Sequence, residues 1–389
     1  MTIRAYLDNN ATTRPLPAVV AAVRECMQDC YLNPSSAAAA LLQQGSDPAP
    51  RARRALGRLL GTGPEGFLFT SGASEANSWV ASNVSPGSHV VASAIEHPSL
   101  RIALQAATRR GARVSWVAPD ANGVISVDAV LSVMRSDTAL VSVMLANNET
   151  GAVQPIAAIA EAARKRSPQC LVHTDATQAV GRMPLDLDGA LAEVDLVSMS
   201  AHKLHGPRGV GALYVRQGIV LDPLVHGEQS EGQRGGTHNS PGIAGFAVAA
   251  DAGAARMSNW LSDVLPLRRN IEARLLHLLP GSWVNAAKTE RLPNTISITW
   301  PGLDAADLVD RLALAGVCVS TGAACSAGAR EPSPALISMG LSHTDALATL
   351  RLSLSLDTTS SEVDAAVCEI AKALGRSNHD PLMTDRLAC

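Results

Sequence analysis

Two residues that could carry chemistry stand at the ends of apolar segments. Lys203 closes the segment DLVSMSAHK, residues 195–203, and a turn rich in glycine and proline follows it. Asp175 follows the apolar run 170–174. A lysine amine can form a Schiff base with an aldehyde, and a carboxylate can pair with a protonated pyridine nitrogen. Together the two residues predict a site for pyridoxal phosphate, in which Lys203 binds the cofactor covalently and Asp175 holds its ring nitrogen.

A thiol and a guanidinium stand out further along the chain. Cys325 lies within TGAACSAG, residues 321–328, where glycine and small side chains predict a loop and a thiol that reactants can reach. Cys318 is a contrast, because its apolar strand predicts a packed and inert thiol. Arg351 lies in another apolar strand, where a guanidinium needs an anionic partner. The carboxylate of an amino-acid substrate would meet that need.

Other polar residues are weaker candidates, since each also has an ordinary structural explanation. Ser74 follows a Ser-Gly turn and could bind phosphate at a helix N-terminus, but such turns also cap helices. His97 could stack on a cofactor ring and move protons, although Pro98 fits a simple helix start equally well. Asn148 could hold a ring oxygen or a carboxylate, or belong to a polar turn. Thr237 ends the segment RGGT, which is either an anion-binding loop or a turn.

The pattern along residues 17–250 predicts the elements that would position these groups. Apolar runs alternate with helical segments such as 98–110 and 155–166, and runs buried on both faces are typical of parallel strands. The predicted strands are residues 66–70, 89–93, 112–117, 139–145, 170–174, 194–199 and 210–215. This alternation predicts an α/β fold with a mostly parallel central sheet. Ligands of such sheets bind beyond the carboxyl ends of the strands, where the candidate residues fall.

The pattern changes after about residue 256 and predicts a second, smaller α+β domain. Its predicted helices and strands are residues 261–279, 294–300, 304–315, 317–320, 350–355 and 360–374. We expect residues 14–256 to form the large domain and residues 1–13 and 257–376 to form the small domain, which carries the Cys325 loop. Residues 377–389 are expected to be a loose C-terminal tail.

Charge and composition exclude several classes of partner. A net charge of −3 gives no electrostatic reason to expect nucleic acid or an anionic membrane. We expect no signal peptide, and no segment approaches the roughly 18 apolar residues of a membrane span. Seven cysteines, an odd number without paired spacing, favour a reducing compartment and a cytoplasmic protein. Cys26 and Cys30 stand four apart, but without further ligands they predict packed thiols and no metal site.

In this order, the motifs resemble those of class I cysteine desulfurases of the NifS/IscS type. The similarity runs from Tyr6 to about Leu374, nearly the whole chain. The motifs that carry it are Ser71-Gly-Ala-Ser74, Glu96-His97, Asn147-Asn-Glu149, Asp175-Ala-Thr-Gln178, Ser200-Ala-His-Lys203, Arg234-Gly-Gly-Thr237 and Thr321-Gly-Ala-Ala-Cys325-Ser. The resemblance implies the aspartate-aminotransferase-like fold of the aminotransferase class V group, with pyridoxal phosphate as cofactor.

The resemblance also implies how this cofactor would be held. Lys203 would carry it, and His97 would stack on its ring. Asp175 and Gln178 would bind the ring nitrogen and the phenolate oxygen. The phosphate would be bound by Ala73, Ser74, Ser200 and His202, joined by Thr237 of the partner subunit in a homodimer.

The substrate that the resemblance implies is L-cysteine. Asn148 and Arg351 would grip its carboxylate, Lys203 would remove the α-proton, and His97 would be the proton partner of its thiol. The Cys325 thiolate would attack the substrate sulfur and become a persulfide, leaving L-alanine. The sulfur would pass to an acceptor protein, such as an iron–sulfur scaffold, or to other sulfur-containing cofactor and tRNA pathways. Cys325 could be a transient cluster ligand with such a partner.

Two alternatives and two departures stay open at the level of sequence. A selenocysteine lyase or another C–S lyase on the same scaffold is the nearest alternative, and an inactive scaffold protein is a remote one. In the segment 33–50, Pro48 and Pro50 cannot both sit inside a regular helix. His226 and Glu228 stand where the family usually has glycine.

Overall fold

A seven-stranded sheet forms the centre of the structure, and two smaller sheets complete it. The computed structural model describes residues 2–33, 36, 41, 47–321 and 331–375. Numbered along the chain, the described strands are β1 (Ala5–Tyr6), β2 (Phe67–Thr70), β3 (His89–Ser93), β4 (Arg113–Val117), β5 (Thr138–Ser142), β6 (Leu171–Asp175), β7 (Leu196–Ser200), β8 (Gly211–Val215), β9 (Trp283–Val284), β10 (Thr295–Thr299), β11 (Val317–Cys318), β12 (Ser320–Thr321) and β13 (Thr349–Ser353).

Helices connect most of these strands. Within the described residues the α-helices are α1 (Pro17–Asp29), α2 (Ala49–Leu60), α3 (Ala73–Ser82), α4 (Pro98–Arg109), α5 (Val127–Val133), α6 (Ile156–Arg166), α7 (Ser240–Ala255), α8 (Leu265–Leu278), α9 (Ala305–Leu314), α10 (Pro334–Ser338), α11 (His343–Leu347) and α12 (Ser360–Ala373). None of them combines the length and apolar character that a bilayer span requires.

The large sheet is mostly parallel, as the sequence predicts. Its order is β2-β8-β7-β6-β5-β3-β4. Only β8 runs against its two neighbours, whereas the other pairs are parallel. The carboxyl ends of β3, β6 and β7 therefore meet at the same edge of the sheet.

Apolar side chains alternate between two cores on the faces of this sheet. Val90 belongs to a hydrophobic cluster with Trp79 of α3 and Leu100 of α4. Its neighbour Val91 belongs to the opposite cluster, which contains Phe246 of α7. Successive residues of a strand point to opposite faces, so a strand covered on both sides is mostly apolar on both. This burial explains why the strands read as continuous apolar runs.

A third cluster lies in the part of the chain after residue 257. It joins Ile271 of α8, Ile298 of β10 and Ile370 of α12, and it includes Ala5 and Leu7 from the start of the chain. The antiparallel sheet in this region has the order β12-β13-β10-β9, and β1 pairs with β11 in a separate parallel ladder. The separate core agrees with a second α+β unit. The residue boundaries of the two domains stay a prediction.

Two local features differ from the sequence prediction, and a third agrees with it. The predicted strand 317–320 is divided into β11 and β12, which pair in different sheets. The predicted helix 261–279 opens with a π-helical turn at Trp260–Val264 before α8 begins. Pro48 and Pro50 do not interrupt a helix, because Pro48 is the N-cap of α2 and Pro50 lies in its first turn. Proline has no backbone N–H, but this loss costs little at the start of a helix. The N–H groups of the first turn have no carbonyl partner within the helix.

Candidate active site

The ends of three parallel strands bring His97, Asp175 and Lys203 together. Asp175 is the last residue of β6, Lys203 follows β7 in a 3₁₀ turn at Ala201–Lys203, and His97 follows β3. Burial lowers the pKa of His97, and the charges of Asp175 and Lys203 act on it in opposite directions, Asp175 raising it and Lys203 lowering it. The three predicted residues therefore share one electrostatic environment.

Asp175 is a buried carboxylate with neutral hydrogen-bond donors. Its Oδ2 accepts a hydrogen bond of 2.7 Å from Asn77 Nδ2, and its Oδ1 accepts one of 2.9 Å from the Thr177 backbone N–H. Asp175 is 4% exposed. A buried carboxylate is stabilised further by a cation, and a protonated pyridine nitrogen is a suitable one. The environment of Asp175 thus fits the role predicted for it.

Lys203 is oriented by the start of the chain. Its Nζ donates hydrogen bonds of 2.6 Å to the Asn10 carbonyl and 2.7 Å to the Ala11 carbonyl. Arg182 Nη2 donates to the carbonyl oxygen of Lys203 itself at 3.2 Å. Arg182 is 2% exposed, and burial lowers its pKa to about 9. The hydrogen bonds of Nζ and of the carbonyl oxygen together fix the position of Lys203.

Gln178 completes this group of contacts. Its Nε2 donates to the Asn10 carbonyl at 3.1 Å, and its Oε1 accepts from Arg182. The acceptors of Arg182 are carbonyl and amide oxygens, so its charge is compensated by dipoles. A phenolate oxygen near Gln178 would add the anion that this buried guanidinium favours.

The phosphate side is built where α3 begins. Gly72 is the N-cap of α3, so Ala73 and Ser74 are in the first turn, whose N–H groups have no carbonyl one turn earlier. Ser200 ends β7, and its Oγ would lie 3.5 Å from a Cβ placed on Gly72. Gly211 allows the backbone of β8 to lie close to Gly72, because a Cβ atom on residue 211 would be only 2.7 Å from the Gly72 Cα. These residues fit a phosphate group.

His202 belongs to the same end of the site. Its Nδ1 lies 3.1 Å from Thr12 Oγ1. Burial, followed by the charge of Lys203, lowers the pKa of His202 to about 4. The imidazole is therefore neutral at physiological pH and would contact phosphate as a dipole.

The predicted substrate arginine already has a carboxylate partner. Arg351 Nη2 donates to Asp8 Oδ1 at 2.6 Å, and Nη1 donates to the Asn148 carbonyl at 3.3 Å. Its Nε is buried and has no hydrogen-bond partner among the described residues. Asp8 thus satisfies the need for an anion that the sequence left to the substrate. A substrate carboxylate would bind in addition to Asp8, or in its place.

Cys325 lies outside the described residues, and the flanks of its segment are defined. Thr321 of β12 pairs with Leu350 of β13, and Ser320 pairs with Arg351. On the other side, Ser333 is the N-cap of α10. Burial raises the pKa of Glu149 to about 7, although a hydrogen bond with the Ser333 side chain and the charge of Arg351 both act to lower it. The chain therefore enters this segment next to Arg351 and leaves it near Glu149.

Thr237 lines a pocket whose lining does not include Asp175. The pocket is also lined by Ser71, Gly209 and Arg234. The Arg234 guanidinium is not open to an anion, because it bonds Glu75 at 2.9 Å through Nε and at 3.2 Å through Nη2. Binding of phosphate by Thr237 in a partner subunit stays a prediction.

Four buried residues at the site had no role in the sequence prediction. They are Asn10, Asn77, Glu96 and Arg182. Asn10 contacts both Lys203 and Asn148. Its carbonyl accepts a hydrogen bond from Lys203 Nζ, and its Nδ2 donates to the Asn148 carbonyl at 3.1 Å. Burial raises the pKa of Glu96 to about 8, and Asp175 contributes. The sequence held only one kind of signal for these residues, their spacing. Arg182 is four residues after Gln178, and Glu96 directly precedes His97.

Known proteins resemble this chain along nearly its whole length. The family model described as aminotransferase class-V matches residues 5–366. A curated cysteine desulfurase of Cereibacter sphaeroides is 39% identical over 377 residues, covering 93% of this chain and 93% of that protein. A solved structure titled as a NifS-like protein is similar with a TM-score of 0.88 and 32% identity, covering 96% of this chain and 100% of that one. Another, titled SspA in complex with cysteine, has a TM-score of 0.78 and 30% identity, covering 91% of this chain and 100% of that one.

The chain belongs to the aminotransferase class-V family, and its resemblance to the cysteine desulfurases is confirmed. The fold prediction is confirmed by the same comparisons. Pyridoxal phosphate is the cofactor of this family, so the cofactor predicted from Lys203 and Asp175 is confirmed as well. The individual roles of the site residues stay predictions.

Proposed function

We propose that the protein is a cysteine desulfurase that takes sulfur from L-cysteine and releases L-alanine. The observation that carries the proposal is the meeting of His97, Asp175 and Lys203 at one edge of the large sheet. Asn10 links this group to Asn148, whose carbonyl also contacts Arg351. The relatives named cysteine desulfurase, and the similar protein whose title names bound cysteine, support this substrate.

Each residue has a defined task in this proposal. Bound pyridoxal phosphate supplies an electron sink for the substrate α-carbon. Asp175 holds the ring nitrogen and keeps it protonated, and Gln178 bonds the phenolate oxygen. Ala73, Ser74, Ser200 and His202 bind the phosphate, while Arg351 and Asn148 orient the substrate carboxylate. Lys203 takes the α-proton and returns a proton later.

Sulfur transfer is assigned to Cys325. Its thiolate attacks the substrate sulfur, so that a sulfur–sulfur bond forms as the substrate Cβ–S bond breaks. The electron pair of the broken bond stays on the substrate and, with a proton, gives the methyl group of alanine. The product on the enzyme is a Cys325 persulfide. The neighbouring strand β12, which pairs with β13 at Arg351, supports delivery of this thiol to the substrate.

The proposal extends to partners. We infer a homodimer in which Thr237 of the partner subunit joins the phosphate site, and a cytoplasmic acceptor protein, such as an iron–sulfur scaffold, that takes the sulfur. Support for an acceptor is chemical, since a persulfide must be discharged before the next turnover. The acceptor is the partner with which Cys325 could hold a cluster transiently.

Turnover by two serine variants tests the proposal. Cys325→Ser should release far less alanine and sulfide from L-cysteine under a reductant than the wild type does. Cys318→Ser is the matched control: Cys318 lies in β11, and burial raises its thiol pKa. It should behave as wild type. Normal alanine release by Cys325→Ser would favour a plain C–S lyase, and turnover of L-selenocysteine but not L-cysteine would favour a selenocysteine lyase.

A further inference from the structure

A chain of hydrogen bonds joins His97 to Asp175 through two residues without an assigned role. We propose that Ser99 and Asn77 are positioning residues that hold neutral His97 with its proton on Nε2. The inference rests on the proposed function, in which His97 meets the substrate. His97, Ser99, Asn77 and Asp175 all lie in the described part of the chain. The chemistry of each group fixes the direction of its hydrogen bonds.

The first link fixes the state of one ring nitrogen. The backbone N–H of Ser99 can only donate, and it lies 3.2 Å from His97 Nδ1. Nδ1 must therefore be an acceptor without a hydrogen. The hydroxyl of Ser99 lies 2.8 Å from the same nitrogen, so this hydroxyl also donates to it. Both bonds arise because His97 is the N-cap of α4.

The second link ties this arrangement to Asp175. Asn77 Nδ2 has two hydrogens; one is donated to Ser99 Oγ at 2.9 Å and the other to Asp175 Oδ2 at 2.7 Å. A flipped amide would set its oxygen against the carboxylate, so the charge of Asp175 orients Asn77. Asn77 is fully buried, at 0% exposure, which shields these bonds from bulk water. Donation then runs from Asn77 to Asp175 in one direction and through Ser99 to His97 in the other.

A consequence follows for proton movement at the site. Neutral imidazole carries one N–H, so with Nδ1 as acceptor the proton is on Nε2. His97 therefore meets the substrate as a hydrogen-bond donor. Taking up a proton at Nδ1 would break the bonds from the Ser99 N–H and hydroxyl. His97 can therefore stabilise a substrate thiolate by donating from Nε2. It cannot accept the thiol proton at Nε2 unless the ring first changes tautomer.

The tautomer can be measured directly by NMR. In protein labelled with ¹⁵N-histidine, long-range ¹H–¹⁵N correlations distinguish Nε2–H from Nδ1–H imidazole, and His97→Gln identifies the His97 signals. We expect Nε2–H in the wild type, with and without cofactor. An Nδ1–H tautomer in the wild type would overturn the proposal. The measurement requires no turnover: an inactive protein with Nε2–H would disprove the proposed function alone, and an active one with Nδ1–H would disprove this inference alone.

Variants separate positioning from simple stabilisation. In Ser99→Ala, His97 loses one of the two donors to Nδ1, so its titration midpoint should move to higher pH and kcat/KM should fall about fivefold, the equivalent of ~1 kcal/mol for one hydrogen bond. Ser99→Thr keeps the hydroxyl and should restore both. Ser115→Ala is the matched control, because Ser115 Oγ lies 3.0 Å from the ring of a different histidine, His89. An unmoved His97 midpoint in Ser99→Ala, or an equal shift in Ser115→Ala, would contradict the proposal.

Discussion

Strand β3 has a buried histidine at its first residue and a partly buried one just beyond its end, and the two differ in their neighbours. His89, at the start, bonds the hydroxyls of Thr138 and Ser115 at 2.9 and 3.0 Å. His97, beyond the end, is linked through Ser99 and Asn77 to a carboxylate. Burial is the main cause that lowers the pKa of both. A lowered histidine pKa therefore does not identify a catalytic residue.

The position along the strand makes the difference. In a parallel sheet the carboxyl ends gather charged residues from several strands at one edge. The His97 end of the sheet holds Asp175 and Lys203, whereas the charges that act on His89 are surface groups, Arg135, Asp137 and Arg113. The predictions below test this contrast, beginning with the largest effect.

Removing the lysine should have the largest effect at the His97 end. Lys203→Ala should lower turnover by at least about a thousandfold, because both covalent binding and proton transfer are lost. The visible absorption band of covalently bound cofactor should disappear as well. Lys165→Ala is the control, since Lys165 is exposed and, among the described residues, its ion pair is with Glu161 on α6. Wild-type turnover by Lys203→Ala would refute the assignment.

Asp175→Asn should be the next most damaging change. An uncharged side chain no longer holds the ring nitrogen protonated, so the cofactor becomes a poor electron sink and turnover should fall by roughly a hundredfold or more. Cofactor should still bind, since Lys203 and the phosphate contacts are intact. Steady-state kinetics and cofactor content measured on the same sample would test this. Full activity would mean that Asp175 has only a structural role.

The two histidines can be compared directly as glutamine variants. His97→Gln should reduce kcat on the order of a hundredfold, as expected when a hydrogen-bond donor to the charge developing on the substrate sulfur is lost from its position. His89→Gln should leave kcat unchanged and reduce the free energy of unfolding by about 1–3 kcal/mol, because buried hydroxyls lose a partner. Chemical denaturation and steady-state kinetics would measure both effects. Equal loss of turnover in the two variants would remove the contrast between the ends of β3.

The last prediction concerns the pH dependence of stability and not turnover. Burial raises the pKa of Glu96 from 4.5 to about 8, so the folded state retains a proton that the unfolded state loses above pH 4.5. Between these values stability falls as pH rises, by at most ~1.4 kcal/mol per pH unit. Glu96→Gln has no such proton to lose, and its stability relative to wild type should therefore increase from pH 5 to pH 8. Denaturation at both pH values tests this, and a constant difference would contradict it.

Sequence patterns predict the frame of the site well. Continuous apolar runs indicate the strands of the large sheet, and the residues after those runs include Asp175 and Lys203. This works because a sheet covered on both faces favours apolar residues along its strands, and charged residues gather beyond the strand ends. The assignment of pyridoxal phosphate needs only these two residue types at two strand ends.

Contacts between distant segments are not visible in the same patterns. Asn10 contacts Lys203, Gln178 and Arg182 because β1 and the following turn cross to the large sheet. Asp8 takes the partner role at Arg351 for the same reason. Such pairings depend on how the two cores are arranged, and no local periodicity encodes that arrangement.

The most direct test of the account is the fate of the substrate sulfur. Wild-type protein is exposed briefly to L-cysteine, digested and examined by mass spectrometry, while alanine is measured in the same sample. The account predicts one added sulfur on the peptide that contains Cys325, together with release of L-alanine. Alanine without added mass on that peptide, or added sulfur on the peptide with Cys318 instead, would contradict it.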